Sequence, residues 1–277
     1  MTPWLEVRRG DAPLIVSFPH TGTDIPAELE ARFSSAWLAR KDADHWVHQL
    51  YDFAHELSAT TLRTTLSRSV IDVNRDPSGA SLYPGQVTTE LCPRTTFDGE
   101  ALYRPGAEPD AAEIEARRAA YFAPYHAALA AELARLRTQH ERVVLYDAHS
   151  IRSEIPRLFH GVLPQLNLGN NDGKTCAASL MRALTQCCDR SGFSRVTNGR
   201  FKGGWTTRHY GRPGQGVHAL QMELACRAYM LEPDPPLGAA NWPSPYDPAR
   251  AAVLAALLRE ILATCLTFAR SATGSDR

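Results

Sequence analysis

The hydrophobic positions of this chain fall into two kinds of run. Leu14–His20 (LIVSFPH), Val143–Asp147 (VVLYD) and Val217–Leu224 (VHALQMEL) are short and apolar at nearly every position. Such runs predict strands covered on both faces, the habit of a parallel sheet between helix layers. Thr60–Val73 alternates threonine with apolar residues and predicts a strand finishing at Ser69–Val73; Phe193–Thr197 and the proline-containing Ile155–Leu168 predict two short ones. Longer segments carry apolar residues at helical spacing. They predict helices over Ala27–Ala39, Lys41–Leu57, Asp110–His140 with a break near Pro124, Ala177–Arg190 and Pro248–Arg270. Ser78–Pro109, rich in Gly, Pro and Thr with Tyr83, Phe97 and Tyr103 interspersed, reads as an irregular excursion of a length usually tied to function. Strands alternating with helices predict a single α/β domain over residues 1–277, its sheet mixed but mainly parallel, with helices on both faces.

Length and charge narrow the class. A chain of 277 residues can bury a large core. Its 30 Lys and Arg balance 30 Asp and Glu, and no basic tract stands apart, so nucleic acid and anionic membrane are not expected partners. The opening MTPWLEVRRGDAP lacks the apolar core of a secretion signal, and no stretch reads as the ~18 apolar residues of a membrane span. A cytoplasmic protein is expected. The cysteines, adjacent only at Cys187-Cys188 and never in a C-x-x-C pair, form no disulfide framework and read as reduced.

Candidate chemistry gathers where the strands stop. Ligands of an open α/β sheet sit off the carboxyl ends of its strands. The strand at Val143 runs out in Asp147-Ala148-His149-Ser150, and the strand at Leu14 in Pro19-His20. A single strand-end His is commonly a hydrogen-bonded structural residue. Two on one sheet edge can supply two of the three protein ligands of a catalytic zinc, the fourth position being left to water. Asp44, opening the helix after His20, is either a first-turn cap or the third ligand; His45 and His48 are further candidates. Asn74-Arg75 either pairs with Asp72 or Asp76 or presents a fork that grips a carboxylate, with Asn74 as a neutral donor. Arg200–Gly216 (RFKGGWTTRHYGRPGQG) is a basic, aromatic, glycine-rich loop. Its Arg200, Lys202, Arg208 and His209, with the close-approach pair Gly203-Gly204, predict an anionic substrate group. Glu223, set between Met222 and Leu224 on a core-type strand, is costly unless paired, for instance with Arg227, or functional; an active-site base is the preferred reading. Gly169–Thr175 (GNNDGKT) approaches a phosphate-binding loop but has Leu168 where that pattern needs Gly.

Four segments together resemble, in order, the N-formylglutamate amidohydrolase family: Ser17–Pro26 (SFPHTGTDIP), Val70–Pro77 (VIDVNRDP), Tyr146–Ser153 (YDAHSIRS) and Gly199–Leu224. That family is similar in fold and site layout to zinc carboxypeptidases, aspartoacylases and cell-wall amidases. The resemblance implies a zinc-exopeptidase-like sheet and a divalent metal, Zn²⁺ or another transition ion, held by His20, His149 and an acid between them in sequence. Asp44 fits the amidase layout, and Asp24 lies nearer the carboxypeptidase spacing. Because His45 stands before Trp46, where an aromatic is expected directly after the acid, His45 stays an alternative. The implied activity is metal-dependent hydrolysis of N-formyl-L-glutamate to L-glutamate and formate in histidine degradation. Glu223 would be the base, with Arg152 or His209 aiding the oxyanion. Asn74 and Arg75 would grip one carboxylate, and Arg200, Lys202 or Arg208, with Gly203, Gly204 and Thr207, the other. The rival readings are hydrolysis of another N-acyl amino acid or peptide, and non-catalytic carboxylate binding.

Overall fold

The computed structural model describes residues 4–81, 85 and 87–271, so Tyr83 and the tail after Ser271 lie outside the described residues. Its strands are β1 (Leu5–Arg8), β2 (Leu14–Phe18), β3 (Thr60–Thr64), β4 (Val143–Ile151), β5 (Leu166–Gly169), β6 (Arg195–Thr197) and β7 (Val217–Ala225). They form one sheet in the order β1-β3-β2-β4-β7-β5-β6. The central β3, β2, β4 and β7 run parallel. β1 joins β3 antiparallel, and β5 joins β7 antiparallel with β6 parallel to β5. Around the sheet lie α1 (Ala27–Glu30), α2 (Val47–Leu50), α3 (Ala111–Arg117), α4 (Ala123–Arg137), α5 (Ala178–Arg190), α6 (Trp205–Tyr210) and α7 (Pro248–Arg270). The expected mixed, mainly parallel α/β sheet is present.

Side chains of a strand alternate between faces, and this sorts the core into two layers. Leu14, Val16, Val144, Tyr146, Leu220 and Met222 pack with residues of α5 and α7. Ile15, Val143, Leu145 and Ala219 pack with Tyr125, Leu129, Leu133 and Leu136 of α4. Further along this second face the alternation continues, but the residues are polar. The register sets Asp147 beside Gln221 and His149 beside Glu223. The site is therefore the polar continuation of the α4 face toward the carboxyl ends of the strands.

Several predicted elements differ in extent. β4 continues to Ile151 with all of its residues buried, because its polar side chains are paired within the site. No strand forms over Ser69–Val73. The chain turns there, with Val70 N bonded to Ser67 O and Asp72 N to Leu91 O, and buries Arg68 and Asp72 against each other. The long helix expected from Lys41 is broken: Trp46 adopts φ 66, leaving only α2 and a 3₁₀ stretch over Asp52–Leu57. Ala27–Ala39 likewise shrinks to α1, with a separate 3₁₀ turn at Leu38–Arg40. In Asp110–His140 a π turn over Arg118–Phe122 precedes Pro124, which has no N–H to close the ordinary helical bond to Ala120. Contrary to the sequence reading, α7 is by length and composition apolar enough to cross a membrane. Half of its most apolar window is buried, with Leu254, Leu258, Ile261 and Leu262 in the core, so it is a core helix here.

Candidate metal centre and active site

Three backbone segments bring His20, Asp44 and His149 together. His20 follows β2, and its carbonyl accepts the Asp44 N–H at 2.9 Å, which pins the loop before α2 to the strand end. The left-handed backbone at Trp46 then turns the chain away, and Asp44 makes no cap bond to α2. His149 comes from the neighbouring β4. All three side chains are buried. His149 Nδ1 lies 3.1 Å from His20 Nδ1 and 3.1 Å from Asp44 Oδ2, and His20 Nδ1 lies 3.7 Å from Asp44 Oδ2.

The far side of each ring decides what this triangle can hold. His20 Nε2 lies 2.7 Å from Asp72 Oδ1, and His149 Nε2 lies 2.9 Å from Asp147 Oδ2 and 2.9 Å from Asn74 Nδ2, the two carboxylates favouring a proton on each Nε2. With protons assigned to both Nε2 atoms, both Nδ1 atoms present lone pairs to each other and to a carboxylate oxygen. That arrangement is repulsive unless a positive charge sits between them. A tetrahedral ion with bonds of about 2.0–2.1 Å spaces its ligand atoms about 3.3 Å apart, close to the observed edges. The acid-backed imidazoles also match the way proteins orient metal-ligating His. The donor set therefore fits a divalent ion. Among the described residues, His20, Asp44 and His149 are the group that does. Asp24 is exposed, and the His45 ring packs against Trp242, so neither joins it.

Charge balance agrees. Burial pushes His20 down to about 4, so it is neutral, the form that ligates. Burial also opposes the charge on His149, but Asp147 and Asp44 outweigh it and hold its pKa well above the ordinary value. Asp72 is buried, yet Arg75, His20 and Arg68 keep its carboxyl well below the usual range. The proton drawn to His149 marks the positive charge this centre asks for.

A cavity of about 370 Å³ opens beside the centre, lined by His20, His149, Glu223 and the cations Arg68, Arg75 and Arg200. Burial raises the Glu223 carboxyl to about 7. The suggested Arg227 partner is elsewhere, bonded to the Leu163 carbonyl. Arg75 is braced by Thr89, with Nε to the carbonyl at 3.1 Å and Nη2 to the hydroxyl at 2.9 Å. Asn74 lines the cavity too, but its amide is spent behind the centre. Its Nδ2 donates to Asp147 Oδ2 at 2.9 Å and its Oδ1 accepts from Thr206 N at 2.8 Å.

Other expected residues stand apart from the cavity lining. Arg152 is ion-paired to Asp98 at 2.7 Å, with Asp42 at 3.6 Å. His209 is exposed and stacks on Trp205, one turn back on α6. Lys202 reaches Asp172, Arg208 bonds the Gly203 carbonyl, and Thr207 is buried behind Gly203. The Gly169–Thr175 loop braces this region, Asn171 N bonding Lys202 O. Gly204 does line the cavity, and a Cβ there would lie 2.5 Å from Asn74 Nδ2. Gly204→Ala should therefore displace the amide behind His149, lowering kcat/KM by about 10-fold and stability by about 1–3 kcal/mol. An unchanged melting temperature and rate would show that Asn74 is free to move.

The sequence reading named Asp147 only within the strand-end polar cluster and Asp72 only as a possible partner of Arg75, which lies 3.5 Å from it, and it did not single out Arg68 or Gln221. A signal for two of them was present, since strand alternation alone places Asp147 with His149 and Gln221 with Glu223.

With this geometry in place, the chain can be set beside known proteins. The family model described as N-formylglutamate amidohydrolase matches residues 12–230. The chain belongs to that family. Two family relatives are the N-formylglutamate deformylases of Pseudomonas aeruginosa and Pseudomonas putida. The first is 43% identical over 267 residues, covering 96% of this chain and 97% of the relative. The second is 43% identical over 232 residues, covering 83% and 86%. The crystal structure of N-formylglutamate amidohydrolase from Ralstonia eutropha JMP134 superposes with a TM-score of 0.73 at 22% identity, covering 96% of each chain, and shares the fold. The family match spans β2 through β7 and so includes every residue of the candidate centre.

Proposed function

We propose that this chain hydrolyses N-formyl-L-glutamate to L-glutamate and formate at a divalent metal centre, as a step of histidine degradation. The observation that carries the reading is the convergence of three potential ligand atoms, His20 Nδ1, His149 Nδ1 and Asp44 Oδ2, beside a buried carboxylate, Glu223, in a cavity with three arginines. The names of the curated relatives support the substrate. His20, Asp44 and His149 would hold the ion, and an N,N,O set of this spacing suits Zn²⁺ among the divalent transition ions. When bound, the ion supplies Lewis acidity that activates water near neutral pH and polarises the formyl oxygen.

The protein's own groups supply the rest. Glu223 takes a proton from the attacking water and passes it to the departing amine nitrogen, tasks suited to a carboxyl raised to about 7. Water adds to the formyl carbon, the C–N bond breaks, and formate and the amino acid leave. Arg68 sits within 3.8 Å of Asp44 and packs over Phe97, placed to face charge developing on the formyl oxygen. Arg75 and Arg200 hold the two carboxylates of the glutamate. Arg152, His209, Lys202 and Arg208 have no part in this mechanism.

Formate release from N-formyl-glutamate, compared with N-acetyl-glutamate and a short peptide, tests the proposal. Preferred turnover of the formyl substrate is expected. Turnover of the acetyl or peptide substrate alone would replace the substrate assignment, and binding without turnover would make the site a carboxylate receptor. Arg75→Lys should raise KM about 10-fold with kcat little changed, because an ammonium cannot reproduce the braced fork. An unchanged KM would remove Arg75 from substrate capture.

A further inference from the structure

We infer that Gln221 is a positioning residue for Glu223, fixing which carboxylate oxygen faces the centre and tying the base to the Gly203-Gly204 segment. The inference rests on Glu223 acting as the base. Gln221 is buried on β7, two residues before Glu223 and on the same strand face. Its Nε2 lies 2.9 Å from Glu223 Oε2, and its Oε1 lies 2.8 Å from the backbone N of Gly204. A backbone N–H can only donate, so the amide oxygen must face Gly204 and the NH₂ must face Glu223. A flipped amide would oppose two donors at Gly204 and two acceptors at Glu223.

Oε2 is thereby committed as an acceptor, and Oε1 is left as the oxygen that receives the proton of the water. The anchor at the other end of Gln221 is rigid. Gly204 abuts the Asn74 amide, whose Oδ1 takes the Thr206 N–H and whose Nδ2 reaches Asp147, the acid behind His149. One short segment thus touches the support of the base on one side and the support of a metal-binding His on the other. Gln221 is its link to Glu223.

A double-mutant cycle on the full, metal-loaded chain tests this. Gln221→Met keeps side-chain length without either hydrogen bond, and Gln221→Glu keeps the acceptor for Gly204 while replacing the amide donor by a carboxyl that competes with Glu223 for a proton. Each is measured for kcat and KM of formate release, alone and with Glu223→Gln. Alone, each should lower kcat about 10-fold with KM within about 2-fold. Added to Glu223→Gln, each should cost less than about 2-fold more, because its effect runs through the lost carboxylate. The same loss in both backgrounds, or a loss confined to KM, overturns the positioning role while leaving the base in place. Normal turnover of Glu223→Gln alone overturns the base and this inference with it. If Gln221→Met fails to fold, Gln221→Glu carries the comparison.

Discussion

Glu223→Gln should lower kcat by on the order of 10² or more while metal content and KM stay near their original values. The amide matches the carboxylate in shape and keeps contact with Gln221, but it cannot accept the proton of the attacking water. The proposed ligand set is unchanged, since the atoms of His20, Asp44 and His149 that could hold an ion lie outside Glu223. The strand register places Glu223 beside His149, so the lost function is local to the reacting atoms. The pH profile supplies an independent readout. Burial holds this carboxyl above its ordinary range, and only its ionised form is a base, so the rate rises with pH as Glu223 ionises. The variant should lose that acid limb. Turnover within about 3-fold of the original enzyme would take Glu223 out of the mechanism. A collapse accompanied by loss of metal would assign it to holding the centre together instead.

The same strand logic explains how far the sequence reading reached. Apolar runs that end in polar residues marked β2, β4 and β7, and two of them delivered His20 and His149 to one sheet edge. Asp44 was visible as an acid after the first His, but its geometry depends on the left-handed backbone at Trp46, which no periodicity reveals. Arg68 was hidden, and Asp72 was weighed only as a partner of Arg75, because the two satisfy each other in a turn, where neither alternation nor helical spacing applies. His209 was misplaced for the opposite reason. The glycine-rich stretch read as loop contains α6, and residues four apart on a helix share a face, so His209 follows Trp205 outward while Thr206 and Thr207 go in. Arg152 was drawn off by acids distant in sequence, Asp42 and Asp98, which a reading of local pattern cannot pair with it.

Dialysis against a strong chelator should abolish formate release, and Zn²⁺ added back in equimolar amount should restore it. The expected loss is the whole of the catalysed rate, because among the described residues none would by itself both make water nucleophilic near neutral pH and polarise a formyl oxygen, as the proposed ion would. The metal-free protein should stay folded. Its triangle of acceptors can be neutralised by a proton on His149, which Asp147 and Asp44 already favour. That proton must leave when an ion enters, so metal affinity should fall as pH drops, and binding should release protons measurable by calorimetry in buffers of different ionisation enthalpy. Asp44→Asn removes the one anionic ligand while keeping its volume. It should lower metal stoichiometry and reduce kcat/KM by about 10² or more, and Zn²⁺ should no longer raise its melting temperature as it does that of the parent chain. Undiminished turnover in a sample shown by elemental analysis to hold no metal would refute the centre, however well its donors are spaced. Metal retained by Asp44→Asn with full stoichiometry would move the third ligand elsewhere and leave the two histidines as its only fixed points.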